Sequence, residues 1–160
     1  MTATKLEIGE IAPNFSLLDQ DGASVALSDF SGQKVIVYFY PAAGTPGCTT
    51  QACDFRDNIN SLKGAGYQVL GVSKDTTDDL KKFQADQGLN FPLLSDLDLE
   101  VHNTYGAYGE KNLYGKKVTG VLRSTFVINE DGTVKLALYN VKATGHVASL
   151  RKKLGIDVAA

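Results

Sequence analysis

The sequence predicts an α/β fold: a central mixed β-sheet flanked by helices on its faces, with an N-terminal β-hairpin. Residues 35–40, VIVYFY, form a β-branched and aromatic run too short for most helices, the pattern of a strand covered on both faces. Strand-like runs at 67–73 and 91–94 bracket a helix-period segment, the βαβ alternation of a parallel sheet. Asp19-Gln20-Asp21-Gly22 and Asn129-Glu130-Asp131-Gly132 each separate two short apolar runs and so mark antiparallel hairpins.

Along the chain, residues 15–18 and 24–27 form the first hairpin, and the 28–32 loop leads into the central strand, which Pro41 stops. Pro46 and Gly47 supply turn chemistry. From Thr49 onward, Ala52, Phe55, Ile59 and Leu62 recur at the spacing of a helix with one apolar face, ending near Gly64 or Gly66. Thr76 or Thr77 caps a second helix that runs through Leu80 and Phe83 to about Gln87, where Gly88 ends it, and residues 91–94 offer a third parallel strand.

Asp96, Asp98 and Glu100 lack the glycine and the distant bidentate acid of a calcium loop and read as a solvated helix start. Gly106, Gly109, Gly115 and Gly120, interleaved with Tyr105, Tyr108 and Tyr114, mark a long loop that walls a pocket or crosses the surface. Residues 125–128 and 133–139 extend the sheet antiparallel. Residues 145–154 close the chain as a helix with His146 at its start, and Arg151, Lys152 and Lys153 complement its dipole.

A chain of 160 residues, 43% of them hydrophobic, buries one good core, so a single domain is expected over residues 1–160. Its 16 basic and 18 acidic residues leave a net charge of -2, which excludes a strong field towards nucleic acid or an anionic membrane. No apolar stretch reaches the length of a membrane span, and a soluble cytoplasmic protein is expected. Two cysteines five positions apart, Cys48 and Cys53, do not make a structural disulfide framework; redox chemistry is the better expectation. A zinc site built from them with His102 and His146 departs from the usual short cysteine spacing, so no metal and no cofactor are expected.

The reactive candidate is Cys48, at or just before the first turn of the helix that follows the central strand. The first amides of a helix lack internal partners and carry the positive end of its dipole, which favours a thiolate over a thiol. Inert burial is the ordinary fate of a free cysteine, but Thr45, Pro46, Thr49 and Thr50 make these surroundings polar and turn-like.

Pro41, Thr45 and Cys48, in the order Pro, three residues, Thr, two residues, Cys, resemble the active-site motif of peroxiredoxins. Cys53 resembles the bacterioferritin comigratory, or Q-type, subgroup. The likeness extends over FSLLDQDGASVALSDFSGQKVIVYFYP before the cysteine and RSTFVINEDG and GHV after it. It implies a thioredoxin-like fold and a thiol peroxidase acting on hydrogen peroxide and organic hydroperoxides.

In that reading Cys48 is the nucleophile, Thr45 directs a hydroxyl towards the peroxide, and Pro41 shields the sulfur. By pattern alone Arg123 is a solvated strand-end residue; the resemblance implies that it is the site cation. Arg56 reads as a surface charge, and neither histidine is placed as a base. Attack on peroxide leaves a sulfenic acid on Cys48, and Cys53, the only other thiol, is expected to trap it as an intramolecular disulfide; were Cys53 structural, an external thiol would be needed. The resemblance implies recycling by thioredoxin or a similar dithiol protein. The chain is expected as a monomer, or at most a weak homodimer. A thioredoxin-like oxidoreductase is the rival enzyme, though it usually carries Cys-x-x-Cys, and a redox-regulated binding or chaperone module is the non-enzyme rival.

Overall fold

The computed structural model describes residues 5–113 and 115–156. Strands β1 (Ser16–Asp19) and β2 (Ser24–Ala26) form the first hairpin. Asp19 Oδ1 tightens its turn by accepting the amides of Asp21 and Ala23 at 2.9 and 3.0 Å. Then follow β3 (Lys34–Phe39), α1 (Pro46–Gly64), β4 (Tyr67–Ser73), α2 (Thr77–Gln87), β5 (Leu93–Ser95) and α3 (Glu100–Thr104). After these come β6 (Tyr108–Leu113), β7 (Lys116–Val121), β8 (Ser124–Ile128), β9 (Val134–Leu138) and α4 (His146–Lys153). Seven strands lie in the order β2-β1-β5-β4-β3-β8-β9, with β5, β4 and β3 parallel and the flanking pairs antiparallel. This is the mixed sheet that the alternation predicts. No helix among the described residues is long and apolar enough to cross a membrane.

Strand β3 is the spine. Residues 35–39 are 2% exposed or less, and their side chains alternate between two apolar layers. Ile36 and Tyr38 pack with Phe55, Ile59 and Leu62 of α1 and with Val147 and Leu150 of α4; Val35, Val37 and Phe39 pack with Tyr105 and Phe126 on the other side. Burial on both faces is why the strand is apolar without interruption. Gly71 pairs with Tyr38, and a Cβ there would come within 3.1 Å of the phenol ring. The glycine thus admits the ring, which stacks on Phe55 with centroids 4.5 Å apart.

Helix α1 begins three residues before the predicted start. Pro46 occupies its first position, where a missing amide costs nothing. Its buried stripe is Cys48, Gln51, Ala52, Phe55, Ile59 and Leu62, and it ends at Gly64, within the range the sequence suggests. Thr76 caps α2 by accepting the Asp79 amide at 3.2 Å, and Gly88 ends it with φ +60°.

Four expectations are corrected. The third parallel strand starts at Leu93 instead of residue 91, because Pro92 has no amide to give the ladder. Residues 106–120 are no long loop: β6 and β7 form a two-stranded ribbon with Gly109 opposite Gly120, while Tyr114 lies outside the described residues. Its backbone ladder, not an apolar face, defines that ribbon, so the glycines mislead.

Asp96 is not solvated; it is 1% exposed, accepts the amides of Val101 and His102 at 3.3 and 2.8 Å, and lies 2.6 Å from His102 Nδ1. Burial pushes its carboxyl up, but the hydrogen bonds from His102 and Val101 outweigh this and hold it below the usual carboxylate range. Asp98 and Glu100 do face solvent. Arg151 is buried as well and donates to Asn58 of α1, which leaves Lys152 and Lys153 as the exposed part of the basic triplet.

Candidate active site

Strand β3 runs parallel to its neighbour β4 and delivers the chain at its C-terminal end to the start of α1, while β8 runs antiparallel and begins at that same end, Ser124 opposite Phe39. Arg123, the residue just before β8, therefore stands beside the first turn of α1 although 75 residues separate it from Cys48. Its carbonyl accepts the Val141 amide at 2.9 Å, which fixes the backbone there.

Cys48 is the third residue of α1. The Thr49 amide reaches the Thr45 carbonyl at 2.8 Å, so the amides of Gly47 and Cys48 have no acceptor within the helix. The thiol is 1% exposed, and Arg123 Nη2 lies 3.4 Å from its sulfur. The expected polar surroundings are thus a guanidinium and a helix start set into an apolar stripe. Gly47 keeps the approach open, since a Cβ there would meet Arg123 Nη2 at 3.3 Å.

Gln51, one turn after Cys48, is fully buried, and its Oε1 accepts from Arg123 Nη1 at 2.6 Å. The guanidinium fork is thereby split, one nitrogen on Gln51 and the other on the sulfur, a task that lysine's point charge cannot do. Sequence reasoning gave Gln51 no role. The signal available was a polar side chain on the apolar stripe of a helix, where burial without a partner is costly.

Thr45 is exposed, and its hydroxyl donates to the Ala42 carbonyl at 2.8 Å. The proton is directed to its own loop, and the hydroxyl oxygen keeps its lone pairs as acceptors. Pro41 is half-buried at the end of β3. The loop between them is held by Asp75, which accepts the Ala43 amide and the Ser73 hydroxyl, both at 2.7 Å.

Cys53 lies on the same continuous helix, half-buried, its thiol 3.5 Å from Gln87 Oε1 of α2. Both thiols are free. Five residues of ideal helix separate their Cα atoms by roughly 8 to 9 Å, beyond the roughly 7 Å limit of a disulfide.

His102 and His146 occupy different layers, His102 edge-on to Phe39 and His146 edge-on to Phe55. His146 Nε2 lies 2.8 Å from Thr125 Oγ1, and burial, reinforced by the Arg123 charge, lowers its pKa to about 4. In the folded protein this ring protonates far below its unfolded reference of about 6.5. Its contribution to stability is accordingly complete above about pH 6.5 and lost as pH falls towards 4, a loss on the order of 3 kcal/mol. A His146→Gln variant should show a flatter stability curve over that window in denaturant titrations. Asp96, held low, adds its own acid loss only below the ordinary aspartate range.

The chain matches the AhpC/TSA family over residues 8–137. It is 59% identical over 153 residues to a Mycobacterium tuberculosis (strain H37Rv) chain described as a peroxiredoxin, covering 96% of this chain and 98% of that one. It is 50% identical over 141 residues to peroxiredoxin Bcp of Escherichia coli, covering 88% and 90%. Among solved structures, the bacterioferritin comigratory protein of Xanthomonas campestris, studied for alkyl peroxide reduction, superposes with a TM-score of 0.82 at 36% identity, covering 89% and 92%.

Proposed function

The chain belongs to the AhpC/TSA family, as a peroxiredoxin with the thioredoxin-like fold of its Bcp and Q-type relatives, and from that premise we propose that Cys48 carries the reaction and Cys53 closes its cycle. The observation behind this is the Arg123 guanidinium shared between Gln51 Oε1 at 2.6 Å and Cys48 Sγ at 3.4 Å. A cation so placed stabilises the thiolate and then the negative charge that develops on the departing oxygen.

The Cys48 thiolate attacks one peroxide oxygen. A sulfur–oxygen bond forms as the O–O bond breaks, and hydroxide or alkoxide leaves to take up a proton, with Cys48 left as a sulfenic acid. The Cys53 sulfur then attacks that sulfur and displaces hydroxide, which carries off the thiol proton as water, and a disulfide remains. A dithiol protein such as thioredoxin returns the two electrons and two protons. Hydrogen peroxide and organic hydroperoxides are the substrates, in keeping with the alkyl peroxide reduction studied in the Xanthomonas relative. Both thiols lie on one helix, so the cycle needs no second copy of the chain, and a monomer in the reducing cytoplasm suffices.

Thr45 accepts a hydrogen bond from the O–H of the incoming hydroperoxide and so aims its O–O bond at the sulfur, while Pro41 keeps bulk water from the thiolate. A hydrogen bond of this kind is worth about 1 kcal/mol or somewhat more, and Thr45→Val should slow the first peroxide step about tenfold. Stopped-flow peroxide consumption under single-turnover conditions measures it; a rate equal to wild type removes Thr45 from the site. The reading as a whole is tested by NADPH oxidation coupled through thioredoxin reductase and thioredoxin. Peroxide-dependent turnover is expected, whereas insulin reduction without peroxide consumption would point to a disulfide oxidoreductase.

A further inference from the structure

Arg56 takes no part in the arrangement around Cys48, yet it is tied to a second helix at the other cysteine. It follows Cys53 by three positions, so the two side chains lie on one face of α1. Its Nη1 donates to the Gln87 carbonyl at 2.6 Å, its Nε pairs with Asp57 at 3.0 Å, and its own carbonyl accepts Asn90 Nδ2 at 3.4 Å. Gln87 is the last residue of α2, whose terminal carbonyls welcome a cation, and the same residue's Oε1 receives the Cys53 thiol. One end of α2 therefore holds both Arg56 and Cys53.

Attachment along α1 changes character at this point. Residues 46–54 are joined to other elements through the small buried side chains of Cys48 and Ala52, the Cys48 and Gln51 contacts to Arg123 and the long Cys53–Gln87 contact, with no large side chain in the core. From 55 onward come fully buried Phe55, the Arg56 clasp, the Asn58–Arg151 bond, and Ile59 and Leu62 in the core. A disulfide between residues five apart cannot close on an intact helix. The turns that open lie before Phe55, and the first polar anchor met on the way is Arg56.

We propose that Arg56 is a positioning residue for the second half of the cycle: clasped to the end of α2, it stops the unwinding of α1 and keeps a cation beside Cys53 while that thiol turns towards oxidised Cys48. The Cys53 sulfur needs its thiolate form to attack, and Gln87 Oε1 accepts only from the protonated thiol. As the contact with Gln87 breaks, Arg56 favours loss of the proton. Arg56 and the buried, un-ionised Tyr38 phenol on β3 interact electrostatically with Cys53, and Asp57, one turn on along α1, pairs with Arg56 at 3.0 Å, so among these neighbours the guanidinium is the cation. The bonds made and broken are those of the disulfide step above, on which this inference rests.

The test separates the two half-reactions in the full-length protein. Arg56→Gln removes the charge and keeps most of the stem; Arg56→Lys keeps the charge and loses the fork. Rapid quenching with a sulfenic-acid trap and mass analysis gives the rate of sulfenic acid formation and the rate of disulfide closure against pH. Arg56→Gln should form the sulfenic acid at the wild-type rate, close the disulfide about tenfold more slowly, as loss of one charge-assisted contact implies, and need a higher pH to close it. Arg56→Lys should restore the wild-type pH profile, a recovery that a purely structural role for the clasp would not produce. Closure by Arg56→Gln at the wild-type rate with an unshifted pH profile overturns the inference. Failure of the wild-type protein to form a sulfenic acid would instead overturn the peroxidase reading itself.

Discussion

Replacing Cys48 with serine should abolish peroxide consumption, by at least about 10⁴-fold, while replacing Cys53 with serine should leave the first equivalent intact and halt the cycle there. The asymmetry follows from the positions of the two sulfurs. Cys48 sits at the helix start under the Arg123 guanidinium, where a thiolate is stabilised; a serine hydroxyl there stays protonated and is a poor nucleophile towards oxygen. Cys53 has Gln87 and Arg56 as neighbours and makes no contact with Arg123. Its loss leaves the first step untouched but strands the sulfenic acid, which excess peroxide then carries to sulfinic and sulfonic acids. Single-turnover consumption, thioredoxin-coupled turnover and intact mass together read all three consequences. Sustained turnover of Cys53→Ser with thioredoxin would show that resolution comes from outside the chain.

Arg123→Ala should slow the first peroxide step by about 10²-fold or more, the scale of losing a preorganised donor aimed at developing charge. It also strips Gln51 of its partner. The Gln51 amide is wholly buried, its Nε2 has no partner among the described residues, and Oε1 would then have none either, a destabilisation of about 1–3 kcal/mol. Arg123→Lys should recover only part of the rate, because one ammonium must choose between Gln51 and the sulfur. Rate and stability thus fall together in the alanine variant, whereas Gln51→Leu, which keeps the volume, should lower the rate less than Arg123→Ala. A first-step rate for Arg123→Ala within about threefold of wild type would remove the arginine from the mechanism.

The sheet's centre, the helix after it and both hairpins were legible in the sequence because their signals are local: a doubly buried strand, a stripe at helical spacing, and turns rich in Asp and Gly. Cys48, Thr45 and Pro41 share that advantage, since one short stretch of chain, the turn after β3 and the first turn of α1, carries all three. Arg123 does not; nothing around it in sequence states that β8 begins where β3 ends, and only the family resemblance pointed to it. Asp96 and Arg151 are misread from sequence, and Gln51 is passed over, for one reason: each is a polar side chain buried because a partner reaches it through the fold, His102 from the helix that follows, Asn58 from 93 residues away, and Arg123 from the start of β8. Polarity in a sequence window reports solvent unless the partner is known. The β6–β7 ribbon was hidden by glycines that suit a loop equally well.

The most direct test of the account compares hydrogen exchange in the reduced and peroxide-oxidised protein, with the disulfide located by peptide mass mapping. Reduced, residues 46–64 form one helix that carries both sulfurs, too far apart to bond. The predicted result is an intramolecular Cys48–Cys53 disulfide, with amide protection lost across residues 46–54 and retained from Phe55 onward. The same disulfide with unchanged protection through residues 46–54 would contradict the unwinding on which the whole cycle depends.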